Sequence, residues 1–217
     1  MPTLAYWKIR GLAQPARLLL NYVGEDFEDK QYEQGDGPEF SRECWTSVKE
    51  TLGLDFPNLP YYIDGDLKMT QSNTILRYIA RKHDLIGKTP KEQVACDMML
   101  ENAMDFRNGT VRLAYNPDYE NSKEDYFKNI QQSLGRFEKF LGDKPFFAGE
   151  NITVCDFPMY ELLDQHRIMK PGILQPYEKL TKFLARFEAL PAIKKYMSSD
   201  KFMKKPINNK SAGFTGN

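Results

Sequence analysis

The spacing of apolar residues over positions 1–84 changes repeatedly between a period of two and a helical period. Residues 3–9 form a short apolar and aromatic run typical of a buried strand, and residues 27–33 alternate loosely, as an edge strand does. Asp64-Gly65-Asp66 separates two further short runs and indicates a β-hairpin. Helices are predicted over residues 17–23 (with Pro15 in the first turn and Gly24 after the end), 41–52 and 72–83. The order β-α-β-α-β-β-α predicts a small α/β domain over residues 1–84.

Beyond residue 89 every apolar pattern has the period of a helix. Thr89-Pro90 combines a cap residue with a first-turn proline, and helical spacing continues to Tyr115. Ser122 is predicted to cap one continuous helix with a buried stripe formed by Phe127, Ile130, Leu134, Phe137 and Leu141. Further helices are predicted after the capping pair Thr153 and Asp156, over residues 180–187 and from Pro191. We therefore expect an all-helical domain over residues 90–217, joined to the first by a linker at residues 85–89.

The charge balance argues against a polyanionic partner. The chain has 217 residues, with 30 Lys and Arg against 30 Asp and Glu. Nucleic acids and anionic membranes are bound through a standing positive field, which this composition does not provide. The sequence also lacks an apolar run of the ~20 residues that a membrane helix needs, and its amino end lacks a secretory h-region. We expect a globular cytoplasmic protein with no nucleic-acid or membrane partner.

Metal and cofactor chemistry finds little support in the sequence. Cys44, Cys96 and Cys155 are far apart and form no C-x-x-C pair, and neither His83 nor His166 has a partner at metal-ligand spacing. A G-x-S-x-G esterase motif, a G-x-G-x-x-G dinucleotide motif and a Walker loop are all missing. We therefore expect no metal, no nucleotide and no disulfide framework.

Several separated motifs resemble glutathione transferases. They are Tyr6-Trp7-Lys8-Ile9-Arg10-Gly11, residues 54–61, residues 70–80 and Tyr115-Asn116-Pro117. The insertion at residues 34–41 is similar to the extra loop of the mu class. The resemblance covers nearly the whole chain and implies a thioredoxin-like amino-terminal domain, an all-helical carboxyl-terminal domain and a cytosolic homodimer. It also implies a detoxification reaction, in which glutathione is a co-substrate conjugated to hydrophobic electrophiles and no cofactor takes part.

Tyr6 is the candidate for the chemical step. A thiol is a weak nucleophile until it loses its proton, and lowering its pKa from about 8.5 to about 6.5 requires ~2.7 kcal/mol in favour of the thiolate. One hydrogen bond to a charged group contributes ~1.5–3 kcal/mol, so a neutral phenol can supply much of this. Tyr6 lies near the carboxyl end of the first predicted strand, where this fold binds ligands. Taken alone Tyr6 could be a core aromatic, but the resemblance makes it the catalytic residue.

The other glutathione contacts are implied by the resemblance. Gln71 and Ser72 open a predicted helix whose free N–H groups suit the γ-glutamyl end of glutathione, although simple capping by Ser72 is an alternative. Leu59 is expected to present its backbone to the peptide if the bond to Pro60 is cis. The implied set is Tyr6, Trp7, Arg42, Trp45, Lys49, Asn58, Leu59, Gln71, Ser72 and, from the partner subunit, Asp105.

Arg42, Trp45 and Lys49 are spaced by three and four residues in the helix predicted over residues 41–52. On one face of that helix they would direct an indole N–H and two cations toward the glycine carboxylate of glutathione. A solvated charged face is a fair alternative for Lys49 and a weaker one for Trp45.

The long helix from Pro90 has a second apolar line that core packing does not require. By the resemblance, Tyr115 reaches the electrophile as a second phenol, with an ordinary core position as a close alternative. The other pocket residues implied are Ile9, Leu12, Met104 and Val111. Asn208 and Asn209 stand where the mu class commonly has an aromatic residue, so we expect a more polar tail wall and a weaker preference for large flat electrophiles.

Phe56 lies in a proline-rich loop, and the resemblance implies that it inserts into the partner chain of a homodimer. Its alternative role is that of a local turn aromatic. Two other functions would keep this fold: a non-catalytic ligand-binding or structural module, and a thioredoxin-type redox enzyme. The joint presence of Tyr6, Gln71 and Ser72 argues against the first, and the lack of a C-x-x-C motif argues against the second.

Overall fold

Residues 1–216 are described by a computed structural model, and their amino-terminal part contains a four-stranded sheet. Its strands are β1 (Thr3–Trp7), β2 (Glu28–Tyr32), β3 (Tyr61–Asp64) and β4 (Leu67–Thr70). The strand order is β2-β1-β3-β4, with β1 parallel to β2 and antiparallel to β3. β1 is therefore an inner strand, and its Leu4 and Ala5 side chains are fully buried. The loosely alternating β2 is the edge strand that the sequence predicts.

The helices of this part are α1 (Gln14–Val23), the short α2 (Glu43–Thr46) and α3 (Ser72–Lys82). Pro15 lies in the first turn of α1, and Gly24 ends the helix with φ at 71°, in the left-handed region that glycine adopts without a Cβ clash. α1 packs against α3. The predicted order β-α-β-α-β-β-α and the thioredoxin-like fold class are confirmed.

The predicted helix over residues 41–52 is wrong in its extent. α2 covers only four residues, and a separate 3-10 turn follows at Lys49–Thr51. At the end of α2 the Ser47 hydroxyl donates to the Glu43 carbonyl at 2.6 Å, and the Thr46 hydroxyl donates to the Arg42 carbonyl at 3.3 Å. Hydroxyl groups that bond to nearby backbone in this way compete with continuation of the helix.

Beyond residue 89 the regular elements of the described chain are helices: α4 (Pro90–Ala114), α5 (Tyr119–Asn129), α6 (Gln131–Leu141), α7 (Asp156–Met169), α8 (Glu178–Ala189) and α9 (Pro191–Met197). The cap predicted at Thr89 is confirmed, because Thr89 and Glu92 form a reciprocal capping box at the start of α4. The Thr153 N–H likewise donates to the Asp156 carboxylate at 2.8 Å where α7 begins.

The single helix predicted from Ser122 to Leu141 is wrong. Two helices meet at Ile130, and the first of them begins three residues before Ser122, at Tyr119. Ile130 keeps right-handed backbone angles (φ −70°, ψ −12°), so the direction of the apolar face persists across the break. The five residues of the predicted stripe are consequently all buried, although they belong to two helices.

α7 connects the two parts of the molecule. It contacts α1 of the α/β part as well as α4 and α8 of the helical part. α3 ends at Lys82 and α4 begins at Pro90, so residues 83–89 form the connection; the domain limits at residues 84 and 90 stay a prediction. No helix within residues 1–216 combines the length and the apolarity needed to cross a bilayer.

Candidate active site

Tyr6 lies one residue before the end of β1, with its ring against the turn that follows the strand. Gly11 in that turn has φ +43°, and a Cβ at this position would lie 2.5 Å from Cε1 and 2.9 Å from Oη of Tyr6. Only glycine fits so close to the ring. The Tyr6 side chain is 6% exposed. Within residues 1–216 no protein group accepts a hydrogen bond from its hydroxyl. That oxygen is also not among the fully buried side-chain atoms without a partner, so it is accessible to solvent.

α3 begins with strained backbone. Gln71, which precedes the helix, has φ 71° and ψ 112°, a conformation that costs a non-glycine residue ~1–3 kcal/mol. The first turn has no side-chain cap, so Ser72 does not serve as the helix cap considered above. The Ser72 side chain is buried at the amino end of the helix. A helix start with uncapped N–H groups is suited to a carboxylate.

Leu59 precedes Pro60 through a cis peptide bond, which is the condition attached above to its backbone contact with glutathione. The Leu59 N–H donates to the Asn58 side-chain oxygen at 2.8 Å. A peptide ligand that bonds to this N–H would therefore have to displace the Asn58 side chain.

Arg42, Trp45 and Lys49 do not share one helix face, because α2 ends before Lys49. Arg42 and Lys49 lie outside α2, at its amino-terminal cap and in the 3-10 turn, whereas Trp45 is inside it. The Trp45 ring is buried and stacks on Tyr61, with ring centroids 6.0 Å apart. Trp45 thus contributes to the core of the α/β part. Trp7, the last residue of β1, is half-buried.

The helical side of the cleft is formed by one face of α4. Met104 and Val111 are half-buried on this helix, and Tyr115 follows its last residue. The Tyr115 hydroxyl accepts a hydrogen bond from the backbone N–H of Asn209 at 2.9 Å. Burial raises the pKa of Tyr115 above its ordinary value, so this phenol keeps its proton at neutral pH.

The two sides meet around a small cavity between the β1–α1 turn and α4. Gly11 and Leu12 line it from the turn, and Met104 and Arg107 line it from α4. Ile9, in the same turn, is buried. The structure thus brings Leu12 and Met104, two of the predicted pocket residues, into one space.

Arg107 is a site residue that the sequence reasoning missed. Burial lowers its pKa, and the neighbouring Tyr6, Tyr115 and Glu161 act in the opposite direction. The guanidinium is therefore a cation within electrostatic range of both phenols. Its signal in the sequence is a spacing of three from Met104 and four from Val111, which puts a charge on the predicted apolar line.

Asp105 lies on a different face of α4 from Arg107, because two residues correspond to about 200° around a helix. It lines a groove of about 580 Å³ between α4, α5 and α6, together with Met98, Phe137 and Phe140. Asp105 is exposed there and is separated from the face that carries Met104 and Val111.

Comparison with known proteins gives one consistent result. A family model described as the glutathione S-transferase N-terminal domain matches residues 2–81, and one for the C-terminal domain matches residues 104–200. The chain is 48% identical to glutathione S-transferase Mu 1 of Oryctolagus cuniculus over 99% of this chain and 98% of that protein. This chain belongs to the glutathione S-transferase family. Glutathione S-transferase Mu 2 of Mus musculus is also 48% identical, over 97% of this chain and 96% of its own length, which agrees with the mu class.

Solved transferase structures have the same fold. The glutathione S-transferase Blo t 8 superposes with a TM-score of 0.90 at 32% identity, covering 98% of this chain and 99% of its own. The pi-class glutathione S-transferase of Onchocerca volvulus gives 0.86 at 31% identity, covering 97% and 99%. The expected fold class, a thioredoxin-like domain followed by an all-helical domain, is therefore confirmed for this transferase.

The tail of this transferase differs at Asn208 from the expectation that its asparagines form a polar pocket wall. Asn208 is buried, and its side-chain amide donates to the Phe214 carbonyl at 3.0 Å. The Asn208 side chain thus stabilises a turn within the tail. Asn209 contacts the cleft in two ways: its backbone N–H donates to the Tyr115 hydroxyl, and its side chain hydrogen-bonds the same phenol, which opposes the rise in the pKa of Tyr115.

The insertion at residues 34–41 is tied to the same tail. The Lys210 ammonium donates to the Asp36 carboxylate at 2.7 Å. The buried Gln34 side chain accepts from the Ser211 N–H at 3.3 Å and donates to the Ser211 hydroxyl at 3.4 Å. These contacts hold the loop and the tail together next to the Tyr115 end of the cleft.

Metal ligation has no structural basis in residues 1–216. Within that range no group of three or more His, Cys, Asp or Glu side chains is arranged to hold a metal ion.

Proposed function

We propose that this transferase conjugates glutathione, through its sulfur, to apolar electrophiles, with Tyr6 as the catalytic residue. The observation that carries the proposal is the Tyr6 hydroxyl: it is held by an inner strand, is free of protein acceptors within residues 1–216 and has the side-chain-free Gly11 beside it. A sulfur atom placed at this hydroxyl accepts a hydrogen bond that is stronger for the thiolate than for the thiol.

The chemistry follows from the charges around that hydroxyl. The thiol proton leaves to solvent, Tyr6 donates its hydrogen bond to the sulfur anion, and the Arg107 cation adds a favourable field from the helical side. The sulfur lone pair then forms a carbon–sulfur bond with the electrophile. Either a leaving group departs with the displaced electron pair, or the electrophile adds sulfur across a double bond and takes up a proton.

Glutathione itself is proposed to lie along the α/β side of the cleft. Ser72 and the uncapped first turn of α3 bind the γ-glutamyl carboxylate. Gln71, with its strained backbone, contacts the same end of the tripeptide. The residues proposed for the rest of the tripeptide are Trp7, Arg42, Trp45, Lys49, Asn58 and Leu59. Glutathione is consumed as a co-substrate, and the proposal includes no further cofactor.

The electrophile is proposed to lie on the helical side of the same cleft. Ile9, Leu12, Met104 and Val111 provide its apolar wall, and the neutral Tyr115 provides a second phenol. A neutral phenol can donate to negative charge that develops on the electrophile during addition.

Tyr6→Phe tests the catalytic assignment. Removing the hydroxyl is expected to raise the pKa of the bound glutathione thiol by about 1–2, and to lower the conjugation rate at neutral pH roughly tenfold to a hundredfold, because one hydrogen bond to an anion is lost. The pKa is measured from thiolate absorbance near about 240 nm, where deprotonated sulfur absorbs. Tyr22→Phe removes the hydroxyl of a half-buried phenol on α1, whose ring meets Phe157 edge-to-face, and is expected to leave both quantities unchanged.

An unchanged thiol pKa in Tyr6→Phe would remove Tyr6 from this role. Retention of the parent protein on immobilised glutathione, combined with no conjugation of a chloronitrobenzene, would instead support the non-catalytic ligand-binding module.

We also propose a homodimer in which Phe56 enters the groove of the partner subunit. The Phe56 side chain is 77% exposed, so most of its apolar surface is available for burial against a partner. The apolar groove lined by Met98, Phe137 and Phe140 has room for a phenyl ring. Asp105 lines that groove too, so this docking would carry Asp105 of the partner subunit toward the glutathione bound next to the Phe56 loop.

Phe56→Ala is expected to weaken dimerisation by about 2–4 kcal/mol, because a buried interface aromatic is a typical hot spot. Sedimentation equilibrium over a dilution series measures the change. Leu67→Ala is the matched control, since Leu67 is also an exposed apolar residue (46%) but is the first residue of β4, outside the Phe56 loop. Equal dimer affinity in Phe56→Ala and Leu67→Ala would refute the docking.

We propose the cytoplasm as the site of action. Cys44, Cys96 and Cys155 are all free thiols in this structure, in keeping with a reducing compartment. The expected reaction also needs reduced glutathione as its substrate.

A further inference from the structure

Arg10 connects the β1–α1 turn to the helical domain through buried ion pairs. Its side chain is 2% exposed although it comes from a turn. Its Nε donates to Glu161 Oε1 at 3.0 Å and its Nη2 donates to Glu161 Oε2 at 2.7 Å, a two-pronged contact with one carboxylate. Nη2 also donates to the Asp164 carboxylate. Both acids lie on α7, so the turn after β1 is bonded to a helix of the other domain.

The backbone of the same turn is bonded to the tail of the chain. The Arg10 N–H donates to the Pro206 carbonyl at 2.9 Å, and the Gly11 N–H donates to the Ile207 carbonyl at 3.1 Å. The Arg10 side chain adds a longer contact to the Lys204 carbonyl at 3.4 Å. Three separate parts of the chain therefore define where this turn lies: β1, α7 and the tail.

The turn is also one wall of the Tyr6 site. Gly11, directly after Arg10, lies against the Tyr6 ring so closely that a Cβ would be 2.9 Å from the hydroxyl oxygen. Ile9 and Leu12 flank the pair and belong to the proposed electrophile wall. A displacement of Arg10 would thus move Gly11 relative to the hydroxyl and move two apolar contacts of the electrophile.

The buried charges of Arg10, Glu161 and Asp164 depend on one another, because removing one of them leaves its partner charged and unpaired in the interior. Burial lowers the pKa of Arg10, but the charges and hydrogen bonds of Glu161 and Asp164 exceed that effect and raise it, so Arg10 is always a cation. Removing that cation would leave the fully buried Glu161 without its charge partner, which is far more costly than losing an exposed pair. On the other side of Asp164, Arg167 donates to its second oxygen at 2.7 Å.

We propose that Arg10 is a positioning residue for conjugation: its ion pairs with Glu161 and Asp164 hold the β1–α1 turn so that the Tyr6 hydroxyl and the electrophile wall stay aligned. This inference rests on the proposed function of Tyr6. Arg10 itself touches neither the thiol nor the electrophile, and it acts through Gly11, Ile9 and Leu12.

Arg10→Lys is the first test, since lysine keeps the charge and loses the planar fork that bonds Glu161 at two points. Displacing catalytic groups by a fraction of an ångström is expected to lower kcat/KM for the electrophile roughly tenfold. The pKa of the bound thiol is expected to rise, while the glutathione Kd stays within about twofold because its proposed contacts at Ser72 and Gln71 are untouched.

Arg167→Lys is the matched control. Arg167 donates to Asp164 and to Glu188, so it belongs to the same ion cluster, but both partners lie in the helical domain. A merely structural role for the cluster predicts that Arg10→Lys and Arg167→Lys both lower the free energy of unfolding and leave the thiol pKa at the parent value. That outcome would overturn the proposal.

Glu161→Gln provides the same test if Arg10→Lys does not fold, because it preserves side-chain shape and removes one charge of the pair. An elevated thiol pKa in folded Glu161→Gln supports the positioning role, and a parental value refutes it. Failure of the proposed function is recognised separately: the parent protein and Arg167→Lys would then show no conjugation at all.

Discussion

On the α/β side of the cleft, Tyr6 and Ser72 are held by hydrogen-bonded backbone, whereas on the helical side Met104, Val111 and Tyr115 project from one face of a helix. β1 is paired on both edges, and α3 starts immediately after β4, so the directions of the first two side chains are set within a few residues of a sheet. The helical side is completed only by the distant tail, through the contact of Asn209 with Tyr115. Under the proposed function, the α/β side would carry the polar recognition of glutathione, and the helical side would carry the apolar contacts with the electrophile.

Ser72→Ala should produce the largest change of the variants that compare the two sides of the cleft. It should weaken glutathione binding on the α/β side and leave electrophile binding on the helical side unaffected. Loss of a hydroxyl that bonds a carboxylate is expected to weaken glutathione binding roughly tenfold to a hundredfold. The electrophile KM, measured with glutathione saturating, should stay close to the parent value. Thr74→Ala, an exposed position in the same helical turn, is the control for helix propensity. Equal losses in glutathione affinity for the two variants would contradict the assignment of Ser72.

The pH dependence of stability should come from the helical side. His166 is fully buried, accepts from the Tyr126 hydroxyl through Nε2 at 2.8 Å, and donates from Nδ1 to the Leu162 carbonyl at 2.7 Å. Burial lowers its pKa from 6.5 to about 4. The unfolded chain therefore binds this proton first, so the stability that neutral His166 contributes is complete above pH 6.5 and is lost as pH falls toward 4.

Between about pH 7 and pH 5, this linkage is expected to remove about 2 kcal/mol of the free energy of unfolding. His166→Gln should not show this loss. Urea titrations should therefore show that the difference in free energy of unfolding between parent and variant shrinks by that amount as the pH falls from about 7 to about 5. Tyr126→Phe removes the hydroxyl partner and keeps the imidazole, and it should retain most of the parental pH dependence. Parallel pH profiles for the parent and His166→Gln would rule out this source.

Met104→Ala combined with Val111→Ala should produce the smallest effect and should test the other side of the cleft. The two truncations remove several apolar contacts, each worth about 1 kcal/mol or less in a partly exposed pocket. The KM for an apolar electrophile is expected to rise by about three- to tenfold, with the glutathione Kd unchanged. Val94→Ala, an exposed position near the start of α4, serves as the control. A change in glutathione affinity would indicate that the two sides are coupled.

Local patterns predicted most of the elements but not their breaks. Gly24 and the Thr89 cap are each specified by a few neighbouring residues, and both occur where predicted. The predicted helix over residues 41–52 failed because Thr46 and Ser47 bond to nearby carbonyls. The helix break at Ile130 left the apolar period undisturbed, so periodicity could not reveal it.

The site was predictable to the extent that it is contained in short motifs. Tyr6 and Ser72 could be named because the motifs around them resemble those of glutathione transferases. Their places at a strand end and a helix start agree with ligand binding but left a core aromatic and a helix cap as alternatives. Arg107 was missed because its proximity to Tyr6 depends on the packing of α4 against the β1–α1 turn, about a hundred residues away along the chain. Asn208 was misjudged because the direction of its side chain depends on a turn closed by Phe214.

By itself the sequence determined the α/β-then-helical order, since this depends on residue type and on spacing within about a dozen positions. It determined the family and the chemical class of the reaction through its resemblance to glutathione transferases. Only the tertiary structure decided that Gly11 leaves space beside the Tyr6 hydroxyl, and that Arg10 joins its turn to α7. The reason is physical: contacts between groups far apart along the chain depend on how whole helices and strands pack, and a local pattern holds no information on those distances.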